Sequence, residues 1–168
     1  MKSSIESANK FVYEKSNGNL NFKGMATTCE VLLINKTTAY WGHIGDSRIY
    51  FSKNGKLTQL TKDHSLIQKL IDDGALSFSE TKNHPKKNVI MKAIGDEALP
   101  EIDTSKMLLP TKSKMRFMVC TDGVTSVLGN DELEKLFQYS LGHFSEQLSR
   151  IIVERGAPDN FTYVIVGN

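Results

Sequence analysis

Apolar residues recur along this chain with two periods, and the switches between them divide it into elements. Ile5, Ala8, Phe11 and Val12 share one helical face. They predict a helix over residues 4–16 that Ser3 or Ser4 can cap and that Asn17-Gly18-Asn19 ends. Residues 27–34 and 38–44 are β-branched and aromatic, and Asn35-Lys36-Thr37 between them predicts a hairpin. Gly45-Asp46-Ser47-Arg48 interrupts the strand pattern and Ile49-Tyr50-Phe51 resumes it. Asn54-Gly55 is then a strong turn signal, with the return strand over residues 57–60.

Leu66, Ile67, Leu70 and Ile71 mark an amphipathic helix stopped by Gly74, and Ser77-Phe78-Ser79-Glu80 has capping-box spacing for a further short helix. Residues 81–112, rich in Lys, Asn, Pro and Asp, read as loops with one edge strand and an apolar island over residues 89–94. Phe117 to Cys120 is unbroken apolar sequence, the mark of a strand buried on both faces, and it stops at Thr121-Asp122-Gly123. Leu133, Leu136 and Phe137 predict a helix from near Asn130; Leu148, Ile151 and Ile152 predict another over residues 145–155, with Gly156 past its end. A last strand over residues 161–166 follows Pro158-Asp159-Asn160. Hairpins with helices before, between and after them predict an α+β fold of sheets covered by helices. Neither repeats nor a linker divide the 168 residues, so one domain is expected.

Composition narrows the function classes. A formal charge of +2 from 21 basic and 19 acidic residues, without a basic block, gives no reason to expect nucleic acid or an acidic membrane as partner. No apolar run is long enough to span a bilayer and the first residues lack a signal-peptide pattern, so a cytoplasmic protein is the expectation. Cys29 and Cys120 lie in apolar strand-like runs rather than in ligand spacing, and are expected to be buried thiols.

The carboxylates carry the candidate chemistry. Asp46, Asp63, Asp122 and Asp159 each stand at or near a strand end beside a small or polar turn residue. Converging aspartates make an all-oxygen site suited to Mg2+ or Mn2+ rather than Zn2+, and such sites commonly serve phosphate chemistry. The bland reading is that turns are rich in Asp.

Five motifs in order sharpen this: Gly24-Met25-Ala26-Thr27-Thr28, Gly45-Asp46-Ser47-Arg48, Thr61-Lys62-Asp63-His64-Ser65, Thr121-Asp122-Gly123-Val124 and Asp159-Asn160-Phe161-Thr162. The series resembles that of the metal-dependent type 2C protein serine/threonine phosphatases, most closely the compact bacterial members. The resemblance implies a central β-sandwich of two antiparallel sheets flanked by helices, in four layers αββα. It implies hydrolysis of phosphoserine and phosphothreonine in proteins, with Mn2+ or Mg2+ as cofactor, a phosphoprotein as substrate and a serine/threonine kinase as a partner. By the same resemblance Asp122 and Asp159 match the late metal ligands, and Asp63 matches the acidic residue that joins the position of Asp122 on a weaker third metal. Gly45, Asp46, Ser47 and Arg48 match a structural turn, Gly123 the residue after the ligand, and Asn160 with Thr162 the turn that holds Asp159. Thr27 and Thr28 match strand-start packing.

Family members also carry, ahead of the first of these motifs, a phosphate-binding Arg, an early metal-binding Asp and an Asp-Gly-x-Gly-Gly loop, and Ala26 stands where a glycine is usual. None of those three features is in this sequence, so the expectation is an N-terminally incomplete domain with impaired catalysis. The alternative is a non-catalytic phosphatase-like domain that regulates or binds a partner. His64 is expected to cap or hydrogen-bond rather than to act as an acid, His43 to be packed in its strand, Trp41 to be core, and Arg48 to pair with a carboxylate.

Overall fold

A computed structural model describes residues 1–110 and 113–167. The chain divides into two compact units, Met1–Asp46 with Lys62–Leu109 and Ser47–Thr61 with Pro110–Asn168. Each has an antiparallel sheet and its own apolar cluster, which gives the α+β class expected.

In the first unit, α1 (Lys2–Gly18) precedes β1 (Cys29–Ile34) and β2 (Thr38–Ile44). The β1–β2 hairpin turns where expected: Asn35 Oδ1 accepts the Thr37 and Thr38 amides at 3.0 and 2.8 Å. The helix α2 (Leu66–Asp72) is capped by Ser65, whose hydroxyl accepts the Gln68 amide, and Ser77 with Glu80 forms the capping box of a 3-10 turn over Phe78–Asn83. The edge strand expected in the loop-rich stretch is β5 in chain order, Asp103–Leu108; it pairs with β2, giving the sheet order β1-β2-β5. Thr111 and Lys112, at the end of that stretch, lie outside the described residues. The apolar island contributes two isolated bridges, Ser65 to Ile90 and Thr27 to Ile94, rather than a ladder. Ile5, Ile44, Ile94 and Ile102 form the core of this unit. Asn9, fully buried on α1, fixes the helix to the following loop: its amide donates to the Glu97 and Ala98 carbonyls and its oxygen accepts the Gly95 amide.

In the second unit, β3 (Arg48–Lys53) and β4 (Lys56–Gln59) form the Asn-Gly hairpin, with Asn54 and Gly55 both at positive φ. They join β6 (Met115–Cys120) and β7 (Tyr163–Gly167) in the order β4-β3-β6-β7. The unbroken apolar run is thus an inner strand, with Phe117, Met118 and Cys120 buried. Between β6 and β7 lie α3 (Asp122–Thr125), α4 (Asn130–Leu136) and α5 (Leu141–Glu154). The last helix begins four residues earlier than its apolar spacing suggested, because Ser140 supplies the cap by accepting the His143 amide. Leu133, Phe137, Phe144, Leu148 and Ile152 pack with Tyr50 and Met118 into the core of this unit. Buried Arg116 donates to the Phe137 and Tyr139 carbonyls at the end of α4.

Tyr163 ties β7 to α5. Its hydroxyl donates to the Ser145 carbonyl at 3.0 Å and lies 2.8 Å from the Ser149 hydroxyl. Tyr163→Phe removes both bonds while keeping the ring, and is expected to cost about 1 kcal/mol in chemical denaturation. No helix among the described residues is long and apolar enough to cross a membrane.

Candidate metal centre

The buried strand β6 delivers its chain end to Thr121, which has extended backbone and starts α3, so Asp122 stands in the first helical residue, half-buried. Asp159 lies on the exposed loop that leads into β7, and the Asn160 amide donates to its Oδ1 at 2.7 Å. The β6–β7 pairing does not stop at the strand ends. Thr121 donates its amide to the Thr162 carbonyl at 3.0 Å, and the Thr162 amide donates to Thr121 Oγ1 at 3.1 Å. One more backbone bond and one bond to a side-chain hydroxyl therefore hold the segment before Asp122 beside the segment after Asp159.

Gly123 matters there because it carries no side chain. Its φ is not positive, but a Cβ would collide with the Asn160 carbonyl, 2.9 Å from its carbon and 3.1 Å from Phe161 Cα. The missing side chain lets the two carboxylate-bearing segments touch. Asn160 accordingly fixes the turn from both sides, through its amide to Asp159 and its carbonyl over Gly123.

Asp63 belongs to the other unit. It is half-buried between Lys62, whose carbonyl accepts from His43 Nε2 at 2.9 Å, and His64, whose amide donates to the Gly45 carbonyl at 2.7 Å. Gly45 has φ +121, and a Cβ there would stand 2.5 Å from Thr28 Cβ, so this turn does require glycine and Thr28 packs into the space. Asp46 follows it, half-buried, and Ser47 is buried. Arg48 donates from Nη1 to the Tyr50 hydroxyl at 3.1 Å, which in turn donates to Asn130 Oδ1 at 3.0 Å. Trp41 is buried, as expected of core.

The oxygen chemistry of these carboxylates fits a hard cation, and Asp122 and Asp159 occupy joined segments, but the donor set is partial. Among the described residues no group of three His, Cys, Asp or Glu side chains forms a metal cage.

Glu30, His43, His64 and Asp103 form a polar cluster. His43 is buried, with Nδ1 2.9 Å from Glu30 Oε1, and its ring lies 4.6 Å from that of His64. His64 Nδ1 accepts the Gly45 amide at 3.2 Å and its Nε2 faces Asp103 Oδ2 at 3.2 Å. Burial first, then the His43 charge, hold the His64 pKa below the ordinary 6.5, against the pull of Asp103. In sequence only Glu30 and His43 stand as polar residues at expected strand positions, and their adjacency to Asp103 depends on register.

The sequence profile of the family described as Protein phosphatase 2C matches residues 2–154. The chain belongs to that family. The serine/threonine phosphatase stp of Listeria welshimeri is 31% identical over 169 residues, covering 99% of this chain and 66% of that protein. The chain thus spans about two thirds of the length of this type 2C relative. The S. agalactiae serine/threonine phosphatase superposes with a TM-score of 0.88 at 33% identity, over 99% of this chain and 69% of that one. The catalytic domain of the phosphatase PstP, solved in complex with two manganese ions, superposes at 0.81 with 26% identity, over 99% and 68%. The α+β fold with two antiparallel sheets is accordingly the type 2C phosphatase fold.

Proposed function

We propose that this chain is one phosphatase-like domain of the kind that hydrolyses phosphoserine and phosphothreonine in proteins, with Asp122, Asp159 and Asp63 as ligands for Mn2+ or Mg2+ and with catalysis by the chain alone impaired. The carrying observation is the Thr121–Thr162 pairing over Gly123, which keeps two carboxylate segments side by side through the protein's own hydrogen bonds. Family membership supports the reaction, and the manganese ions held by PstP support the cofactor. When bound, such cations supply an activated water and neutralise phosphoryl oxygens. The chain's own work is to present oxygen ligands: Asp122 from the first turn of a helix whose strand is buried, Asp159 from a loop fixed by Asn160, and Asp63 from a segment held on both sides. Asp46, Ser47 and Arg48 shape the turn at Gly45 and are not ligands. A serine/threonine kinase is the natural counterpart, since its products are the substrates.

The partial donor set favours weak metal binding by the chain alone, because hard-cation affinity follows ligand number and charge. Calorimetric Mn2+ titration is expected to give a dissociation constant on the order of 10⁻⁴ M or weaker, and p-nitrophenyl phosphate turnover close to background. Mn2+ binding that Asp122→Asn and Asp159→Asn both leave unchanged would overturn the ligand assignment. The second reading, a non-catalytic regulatory or partner-binding domain, draws on the same partial donor set and predicts no turnover in a protein carrying the whole family domain.

A further inference from the structure

Three polar side chains stand at one level of the β1-β2-β5 sheet, Glu30 opposite His43 and His43 opposite Asp103. Neighbours at one register level point to the same face. His43 is 1% exposed, and an apolar side chain there would avoid the cost of burying two polar nitrogens. What the imidazole does instead is defined by its partners. The Lys62 carbonyl only accepts, so His43 Nε2 donates to it, and Glu30 on Nδ1 fixes the ring. Against this ring lies His64, whose Nδ1 accepts from the Gly45 amide; its hydrogen is therefore on Nε2, directed at Asp103. The His64 backbone is held twice more, amide to Gly45 and carbonyl to Met91, each at 2.7 Å. Apart from the Glu30 brace on His43, each of these bonds ends on Lys62 or His64. The residue between them is Asp63.

We propose that His43 and His64, braced by Glu30 and Asp103, are positioning residues that set the direction of the Asp63 carboxylate toward metal. The inference rests on the proposed ligand role of Asp63. A carboxylate on a free loop loses conformational entropy when it binds a cation; one whose two flanking residues are hydrogen-bonded has lost it already. Groups that orient metal ligands in this way commonly change metal affinity 10- to 100-fold when removed.

Two substitutions at His43 separate positioning from mere structure. Gln places its amide nitrogen about where Nε2 stands and can still donate to the Lys62 carbonyl; Asn is too short and reaches only the Glu30 side. In Mn2+ titrations of the chain followed by the electron paramagnetic resonance of free Mn2+, Asp63→Asn is expected to weaken binding about tenfold. His43→Asn should reproduce most of that loss, His43→Gln should restore affinity to within about twofold, and His43→Asn should add nothing in the Asp63→Asn background. Equal losses for Asn and Gln, or a His43→Asn loss that persists without Asp63, would show a general structural role and overturn the proposal. So would unchanged binding in His43→Asn where Asp63→Asn weakens it. No effect of Asp63→Asn removes the ligand role itself, and the proposal with it, a result distinct from failure of the positioning alone. If His43→Asn does not fold, half-exposed Asp103 gives the same comparison: Asp103→Ala releases His64 and should weaken binding, and Asp103→Asn, which still accepts, should restore it.

Discussion

Asp122→Asn should lower turnover about a hundredfold or more in a protein carrying the whole family domain, while Asp46→Asn should change it by less than about threefold. The amide keeps the shape of the side chain and one acceptor but removes the charge, and a group acting mainly in the transition state commonly contributes roughly 3 kcal/mol. Asp122 is set for such a role by the end of a buried inner strand and by its place in the first turn of α3. Asp46 follows a glycine whose positive φ and contact with Thr28 mark a turn built for packing. Steady-state kinetics with a phosphopeptide, with circular dichroism to confirm equal folding, tests the ranking. Comparable losses for the two variants would end it.

Gly123→Ala should destabilise the fold by about 1–3 kcal/mol, although alanine normally favours a helix over glycine. The added methyl meets backbone, the Asn160 carbonyl and Phe161 Cα, rather than a side chain that could turn away. Either α3 or the Asp159 loop has to move, so the Thr121–Thr162 bonds lengthen and Mn2+ affinity falls together with stability. Denaturant unfolding and metal titration on the same sample read both effects. A variant as stable as the parent would show that the two segments are not in the contact described.

Local sequence determined much of this protein. The helical spacing of Ile5, Ala8 and Val12, the Asn54-Gly55 turn, the apolar run from Phe117 to Cys120 and the Ser77–Glu80 capping box each name their element, because each acts within a few residues of chain. The ordered motifs likewise named the family, which the profile match bears out over residues 2–154. What tertiary structure decided was everything that depends on a distant partner. The strand Asp103–Leu108 has no apolar alternation of its own and exposes most of its residues; it exists because β2 offers a free edge with which to pair. Gly123 reads in sequence only as the residue after a candidate ligand, yet the requirement for glycine comes from a carbonyl 37 residues further along the chain, at Asn160. Glu30, His43 and Asp103 belong to none of the motifs, and what joins them to His64 is strand register and a loop crossing; a one-residue slip of any one strand would send its member to the opposite face. Period and capping are properties of a segment; register and close approach are properties of pairs, and those form only when the chain has folded.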